Sequence, residues 1–369
     1  MKILGILNFE PNSVRVTGIE DYRPVSSASF LGRYRVLDFM ISNLTNSGIS
    51  DIELYIKDRP RSAVEHVSGT KYNFNSKKGR ILMLTGEKTY TNPIYNTDLA
   101  AFEANHHFIS SASADLVVLA PTHFIFTQDF QEMIKAHQES GNDVTVLYHS
   151  VNNADKRFAL CNVLKIDENG RVTDLSLNTG KYKHRNVSLE TYVMSYKLFL
   201  QLIERGSRTS SLYWFHDVLS DSLEDLKVGT YSHKGYVACL NNLPAFHEAN
   251  LQLAKEENMA KVISPDWPIF TLTHDTCPTI YEETAQVTDS SVGNGCRIAG
   301  TVIESMIGRD CRVGKGSVIK NCVLLPGSSV GEGVYIENAV IDRYANISMQ
   351  KDLRGTAEDP LYVRKSDHI

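Results

Sequence analysis

Three arginines near the amino terminus have the type and spacing that suit a binding site. Arg23, Arg33 and Arg35 fall within 13 positions. A guanidinium group donates several hydrogen bonds in a fixed planar arrangement, so a group of arginines suits multidentate binding of phosphate. The alternative is that they form structural ion pairs. The candidate acidic partners are Asp21, Asp38 and Asp51.

Residues that bind metal ions are poorly grouped in this sequence. The six cysteines are Cys161, Cys239, Cys277, Cys296, Cys311 and Cys322. None forms a C-x-x-C pair, so a zinc site is not expected, and free thiols in a reducing compartment are the expected state. The adjacent His106 and His107 do not share a helix face, and we expect them at the surface or the core edge. We predict no metal site and no cofactor for this chain.

Length and composition are those of an ordinary globular protein and argue against several functions. The 369 residues are 42% hydrophobic and 22% charged, which suits about two domains with ample core. The 38 basic and 43 acidic residues give a formal charge of −5, which argues against a nucleic-acid partner held by bulk charge. No window approaches the roughly 18 apolar residues of a membrane span, and Met1 to Leu7 is too short for a signal-peptide core. We expect a cytoplasmic protein.

Strands and helices alternate along the first two-thirds of the chain. The predicted strands lie at 3–7, 51–56, 116–119 and 143–147, and the predicted helices at 36–44, around 133–137, 197–206, 212–226 and 246–254. Asn169-Gly170 separates two alternating runs, at 159–166 and 171–177, and predicts a hairpin. Short strands joined by helices imply a mainly parallel sheet covered on both faces. We therefore predict an α/β domain over residues 1–256.

The last third of the chain repeats an apolar residue every six positions. Two strict triplets keep this spacing, namely Ile307, Val313, Ile319 and Leu324, Val330, Ile336. The period is typical of a parallel β-helix, whose triangular coils bury one aliphatic residue on each face. We predict a linker over 257–280, a left-handed hexapeptide-repeat β-helix over 281–350 and a tail over 351–369. Such a domain usually supports contacts between subunits.

Motifs in both parts of the chain resemble those of bacterial ADP-glucose pyrophosphorylases, also called glucose-1-phosphate adenylyltransferases. The block G-R-Y-R-V-L-D-F at residues 32–39, with S-N at 42–43 and N-S-G-I at 46–49, is similar to a block near their amino terminus. F-H-E-A-N at 246–250 resembles their Y-W-E-A-N, and residues 340–343 match the V-I-D-R near the end of their β-helix. The resemblance implies a Rossmann-like, GT-A-like nucleotidyltransferase domain followed by the β-helix.

That family transfers a nucleotidyl group from ATP to glucose-1-phosphate, and the resemblance implies that this chain lacks the necessary residues. The glycine-rich phosphate loop falls on N-F-E-P-N-S after the first strand. There Phe9 would block the triphosphate, Glu10 would repel it, and Pro11 lacks an N–H donor. The two magnesium-binding aspartates fall on Thr122 and Pro244, and neither residue supplies a carboxylate. We expect no catalytic residues in this chain.

The basic residues of the family are better matched. Arg23 falls on a family lysine, Arg33 and Arg35 lie in the block at 32–39, and Arg343 ends the V-I-D-R motif. In the family this region lies near the effector site. The resemblance therefore implies that Arg23, Arg33, Arg35 and Arg343 bind a phosphorylated effector.

Within the family the chain is most similar to the GlgD-type subunits that accompany a catalytic pyrophosphorylase in glycogen biosynthesis. The resemblance implies a regulatory pseudoenzyme in a mixed tetramer, whose catalytic partner holds the Mg²⁺. Such a subunit would act allosterically by favouring its partner's active conformation. Two alternatives remain open: an active sugar-phosphate nucleotidyltransferase that uses other ligands, and a stand-alone sensor of sugar phosphates or nucleotides.

Overall fold

The computed structural model describes residues 1–74, 79–85 and 92–369, and in them an α/β domain precedes a parallel β-helix. The strands of the first domain are β1 (Ile3–Asn8), β2 (Ser29–Phe30), β3 (Tyr34–Arg35), β4 (Asp51–Ile56), β5 (Arg80–Thr85), β6 (Leu116–Pro121), β7 (Phe124–Ile125), β8 (Val144–Val151), β9 (Asn162–Ile166), β10 (Val172–Leu177), β11 (Arg185–Ser195), β12 (Val228–Ser232) and β13 (Ala238–Cys239). Its helices are α1 (Val36–Asn46), α2 (Arg61–Gly69), α3 (Asp98–Ala104), α4 (His106–Ser111), α5 (Phe130–Ser140), α6 (Tyr196–Thr209), α7 (Phe215–Asp221), α8 (Leu243–Ala254) and α9 (Glu256–Met259). Single 3-10 turns lie at Ile19–Asp21, Val25–Ser27 and Pro93–Tyr95.

The central sheet has the order β10-β9-β11-β6-β1-β4-β5, and β8 joins β11 to β12. β1 is parallel to β4 and β6, and β4 is parallel to β5, as the sequence predicts. The prediction of a mainly parallel sheet is wrong for the other half, because β11 runs antiparallel to β6, β8 and β9. β9 and β10 also pair antiparallel, through the hairpin predicted at Asn169-Gly170, which needs no crossover connection.

Helix ends follow local signals at most positions. α1 covers the predicted helix and ends before Gly48, whose φ of 74° is in the left-handed region. The helix predicted over 212–226 is too long, because α7 spans only Phe215–Asp221. The Trp214 N–H donates to the carboxylate of Asp217 at 2.9 Å and fixes the start of α7. In the described ranges, no helix has the length and apolar character needed to cross a membrane.

The β-helix confirms the six-residue repeat. Its strands are β14 (Ile280–Tyr281), β15 (Gln286–Thr288), β16 (Ser291–Val292), β17 (Arg297–Ile298), β18 (Thr301–Ile303), β19 (Met306–Ile307), β20 (Arg312–Val313), β21 (Val318–Leu324), β22 (Ser329–Val330), β23 (Tyr335–Ile341), β24 (Asn346–Ile347), β25 (Asp352–Arg354) and β26 (Leu361–Val363). The two predicted triplets stack in parallel register, with Ile307 on Leu324, Val313 on Val330 and Ile319 on Ile336. All six side chains are buried in one core.

A third apolar cluster joins the two domains. Phe30 and Phe246 of the first domain pack in one cluster with Met306, Val323 and Val340 of the β-helix. The chain between the domains also lies against α1. The Trp267 indole N–H donates to Asn43 Oδ1 at 2.9 Å. The backbone N–H of Phe270 donates to the Ser42 hydroxyl at the same distance. Helix α1 therefore supports both the sheet and the connection to the β-helix.

Candidate functional site

The loop after β1 folds into the space where a phosphate loop would need to stay open. Phe9 is only 3% exposed and packs edge-on against Trp214, with 5.8 Å between ring centroids. This pair belongs to the core that covers one face of the sheet. A buried aromatic pair thus lies where a phosphate loop has glycines, which let backbone N–H groups approach a triphosphate closely.

Glu10 follows Phe9 and is buried as well. Burial raises the pKa of its carboxyl, although the charge of Lys57 partly offsets the effect. Its Oε2 has no hydrogen-bond partner among the described residues. The Lys57 ammonium donates to Asn12 Oδ1 at 2.6 Å. Asn12 of the same loop is therefore the hydrogen-bond partner of the nearby Lys57 ammonium.

The two positions expected to lack metal ligands hold structural contacts instead. The Thr122 hydroxyl donates to the backbone oxygen of Asn8 at 3.0 Å, so it ties β6 to the end of β1. Pro244 lies in the first turn of α8, where a missing N–H costs little. In the parts of the chain that the structure describes, no three His, Cys, Asp or Glu side chains are grouped as a metal site would require. The residues at these positions do not fit Mg²⁺, which takes hard oxygen ligands and usually carboxylates.

Asp98 is a carboxyl group beside this loop that the sequence analysis missed. It accepts hydrogen bonds from Asn8 Nδ2 at 2.7 Å and from the backbone N–H groups of Leu99 and Phe215 at 2.8 and 3.0 Å. Burial raises the pKa of Asp98 to about 7, and the three donors only partly offset it. Its Oδ1 and Oδ2 both accept from the protein, so Asp98 is held as a structural acceptor between β1 and α7.

Glu190 is the second carboxyl group that the sequence analysis missed. It lies at an irregularity of β11 between Ser188 and Thr191, and its φ of 48° is unusual for a residue with a side chain. Asn162 Nδ2 donates to its carboxylate at 3.1 Å. Burial, followed by the charge of Asp98, raises the pKa of Glu190 to about 7. A positive φ on a non-glycine residue leaves little signal in a single sequence.

A cavity of about 180 Å³ remains beside these groups. Its lining consists of Pro11, Asn12, Ser13, Val14, His123, Leu160, Cys161, Asn162, Leu177, Glu190, Trp214, His216 and Asn241. None of these is a lysine or arginine, and burial lowers the pKa of His123 to about 3, which keeps it neutral. A cavity with a carboxyl group and no permanent cation is a poor site for a nucleoside triphosphate.

The predicted effector-binding arginines lie near the junction between the domains, and their environments differ. Arg23 is buried and bound to Asp342 of the β-helix, with 2.6 Å between Nη2 and Oδ1. The Arg35 guanidinium donates to the Ser27 carbonyl at 2.7 Å and to the Ser29 hydroxyl at 3.0 Å. Both guanidinium groups therefore have structural partners.

None of the acidic partners proposed from sequence forms an ion pair with these three guanidinium groups. The Asp38 carboxylate bonds to His66 and Tyr72 and accepts the backbone N–H of Arg35, whereas Asp51 pairs with Lys2 and Arg80. The partner of Arg23 is 319 positions away, and a search for nearby acidic residues cannot find it.

The remaining two arginines, Arg33 and Arg343, are more accessible. Arg33 is exposed and lies over the Tyr34 ring, 5.6 Å from its centroid. Arg343 is half-buried, donates to the Tyr344 hydroxyl at 3.1 Å, and has a buried Nε with no partner among the described residues. Burial, followed by the charges of Arg343 and Arg23, lowers the pKa of Arg35 to about 9. We name these four residues, Arg23, Arg33, Arg35 and Arg343, the junction arginines.

Residues 23–233 match the Nucleotidyl transferase family, and residues 277–356 match the GlmU-like, C-terminal hexapeptide family. The first match covers more than half of the chain, and the chain belongs to the nucleotidyl transferase family.

Curated relatives agree with the resemblance seen in the motifs. The Bacillus subtilis (strain 168) glycogen biosynthesis protein GlgD is 25% identical over 99% of this chain and 96% of its own length. The glucose-1-phosphate adenylyltransferase of Fervidobacterium nodosum is 25% identical over 92% of this chain and 82% of its own, and that of Clostridioides difficile (strain 630) is 26% identical over 81% and 79%. The predicted similarity to glucose-1-phosphate adenylyltransferases and to GlgD is confirmed.

Proposed function

We propose that this chain is a catalytically degenerate regulatory subunit in glycogen biosynthesis, which activates a catalytic glucose-1-phosphate adenylyltransferase in a mixed oligomer. The observation that carries the proposal is the occupied loop after β1. Phe9 packs against Trp214, and Glu10 lies buried close to Lys57. The fold is kept while the triphosphate site is filled by side chains, as expected of a chain that assembles with an active homologue.

The absence of metal carboxylates at Thr122 and Pro244 supports the same proposal. Nucleotidyl transfer develops negative charge on phosphate oxygens, and a bound Mg²⁺ stabilises that charge by several kcal/mol. In this chain a hydroxyl bonded to Asn8 and a proline in the first turn of α8 stand at the two positions. The Mg²⁺ of the reaction would belong to the catalytic partner.

The junction arginines support regulation through a phosphorylated effector. Arg23, Arg35 and Arg343 bring positive charge from the first domain and from the β-helix to one place, since burial and then the charges of Arg343 and Arg23 lower the pKa of Arg35. Arg33 is exposed and Arg343 is half-buried, whereas Arg23 is buried in an ion pair, so Arg33 and Arg343 carry the proposed effector contact. Arg23 and Arg35 would position the site and hold the domains together.

The deciding experiment is co-expression of this chain with a catalytic glucose-1-phosphate adenylyltransferase from the same cell. ADP-glucose synthesis is measured for each chain alone and for the purified mixture. We expect no ADP-glucose synthesis by this chain alone. The mixture should have a higher activity, or a lower effector concentration for half-activation, than the catalytic chain alone. Turnover by this chain in a preparation free of host enzyme would establish an active enzyme instead. Failure to co-purify, combined with binding of a sugar phosphate, would establish a stand-alone sensor.

A further inference from the structure

Two buried thiols meet beside the small cavity of the first domain. The Cys161 thiol donates to Cys239 Sγ across 3.4 Å, although 78 positions separate the residues. Both side chains are almost fully buried, with 5% and 6% exposed. A disulfide bond brings its sulfur atoms to about 2.05 Å, so the pair has only about 1.4 Å to close.

The backbone around each thiol is held by hydrogen bonds. Asn178 Nδ2 donates to the carbonyls of Ala154 and Phe158, both at 2.8 Å, and the Asn178 carbonyl accepts from the Leu160 N–H at 3.0 Å. These bonds support a loop in which Phe158 and Leu160 both have left-handed φ angles, 58° and 60°. Cys161 is therefore presented by a tight, clamped loop.

Cys239 belongs to β13, which pairs with β7 through Phe124. The next backbone N–H, at residue 240, donates to the His123 carbonyl at 2.9 Å. The two thiols thus lie on two separate elements that are each held by backbone hydrogen bonds, and little rearrangement is needed to join them.

The cavity gives a small reagent access to one member of the pair. Cys161 lines the cavity of about 180 Å³, whereas Cys239 does not. Burial, followed by the contact with Cys161, raises the pKa of the Cys239 thiol well above its ordinary value. The reaction therefore begins at Cys161, and Cys239 acts second.

We propose that Cys161 and Cys239 are an intramolecular dithiol that a hydroperoxide oxidises to a disulfide. In the first step the Cys161 sulfur attacks the peroxide oxygen, the O–O bond breaks, and the thiol proton leaves with the departing oxygen; hydrogen peroxide thus gives Cys161 sulfenic acid and one water. In the second step the Cys239 sulfur displaces the hydroxyl from Cys161, and its proton completes a second water. Two thiols are oxidised and one peroxide is reduced.

The bond would connect two parts of the molecule that matter for the domain arrangement. Cys161 precedes the β9–β10 hairpin, and Cys239 leads within four residues into α8. Helix α8 contacts the β-helix, where the His247 ring N–H donates to the Asn321 carbonyl at 2.7 Å. Oxidation would restrain the segment that leads into α8 and would raise resistance to unfolding.

The test uses the full wild-type chain, reduced and then titrated with hydrogen peroxide. Remaining thiols are alkylated after denaturation, and tryptic peptides are identified by mass spectrometry without reduction. We expect a linked peptide that contains Cys161 and Cys239, and a whole-chain mass lower by two hydrogen atoms before alkylation. The exposed Cys277 reports that oxidant was delivered. The proposal is overturned if peroxide has fully oxidised Cys277 while Cys161 and Cys239 both remain free thiols that the alkylating reagent modifies.

Variants separate the two steps. In Cys239→Ser, peroxide with dimedone should label Cys161 as a sulfenic-acid adduct, whereas Cys161→Ser should leave Cys239 unlabelled. Cys322→Ser, which removes another buried thiol from the β-helix, should form the bond as the wild type does. Melting curves check that each variant is folded, and the wild-type peptide map decides the question if one is not. Linkage of Cys161 to any cysteine other than Cys239 would refute the proposal.

Discussion

Arg23 and Asp342 form a buried ion pair that crosses from the first domain to the β-helix. Their nearest charged atoms are 2.6 Å apart, and their side chains are 4% and 0% exposed. The Tyr362 hydroxyl donates to the second carboxylate oxygen at 2.5 Å. The family resemblance places Arg23 among effector-binding residues, but the structure gives this guanidinium a partner that fixes the domain junction.

Removal of one member of this pair should therefore lower stability strongly. Arg23→Met leaves the Asp342 carboxylate buried without its cation, and we expect a loss of about 3–5 kcal/mol in the free energy of unfolding. Urea titration measures it. The double variant Arg23→Met, Asp342→Leu should lose less than the sum of the two single variants. Arg61→Ala, which breaks an exposed pair with Glu65, is the control and should change stability by less than about 0.5 kcal/mol. A small effect at Arg23 would mean that the junction does not depend on this pair.

Arg33 and Arg35 should separate effector binding from stability. Arg33 is exposed, so Arg33→Ala should leave the melting temperature unchanged and raise the effector concentration for half-activation of the mixed oligomer roughly tenfold. Arg35 is bound to Ser27 and Ser29, so Arg35→Ala should lower the melting temperature with or without effector. Activation titrations and melting curves on the same preparations measure both. An unchanged half-activation concentration in Arg33→Ala would remove Arg33 from the effector site.

The occupied loop should prevent simple restoration of catalysis. Thr122→Asp with Pro244→Asp would return two carboxylates, but Phe9, packed against Trp214, would still stand where the family has its glycine-rich loop. Catalytic groups act as a unit, so this partial repair should give no ADP-glucose synthesis above background. Measurement with Mg²⁺, ATP and glucose-1-phosphate checks it, with Phe9→Gly alone as the matched control. Substantial activity of the double variant would show that the loop is not the obstacle.

The parts of this fold that sequence predicts are those that local spacing determines. Ile307 and Leu324 belong to separate six-residue series, yet they stack directly, because a coil of the β-helix buries one aliphatic residue on each face. The helix ends at Gly48 and Gly141 were also predictable from local sequence, since a left-handed φ favours glycine. The positions that correspond to the family's phosphate loop and metal ligands could be located only through the family motifs.

What sequence could not predict depends on contacts between distant segments. The antiparallel placement of β11 follows from its pairing with three other strands, and the partner of Arg23 lies 319 positions away. Asp98 and Glu190 become notable only when burial raises their pKa values to about 7. Periodicity carries no information about such burial.

Glu53 should make stability depend on pH. It lies on β4, accepts a hydrogen bond from the Tyr55 hydroxyl at 3.1 Å, and has its pKa raised to about 7 by burial. The folded state therefore binds this proton more tightly than the unfolded state, whose pKa is about 4.3. The protonated Glu53 carboxyl group therefore makes its full contribution to the free energy of unfolding below about pH 4, and this contribution is lost as the pH rises to about 7.

Replacement of this carboxyl group should remove that dependence. Glu53→Gln should be more stable than the wild type at pH 8, by up to roughly 3 kcal/mol, and the advantage should shrink toward pH 4. Urea titrations at several pH values measure the difference. Glu65→Gln, at an exposed position, is the control and should keep the wild-type pH profile. A constant difference across the range would show that Glu53 has an ordinary pKa.

The β-helix should be required for assembly with the catalytic partner. Val330 is 3% exposed and lies between Val313 and Ile347 in adjacent coils, so Val330→Asp would bury a charge with no partner. We expect the local stack to unfold and the mixed oligomer to be lost, while the first domain, which has its own apolar cores, resists proteolysis. Sedimentation velocity and limited proteolysis measure the two effects. Arg312→Asp, which reverses a charge on the exposed side of the same stack, is the control for charge alone and should keep the β-helix folded. An unchanged sedimentation profile for Val330→Asp would show that assembly does not depend on this part of the β-helix.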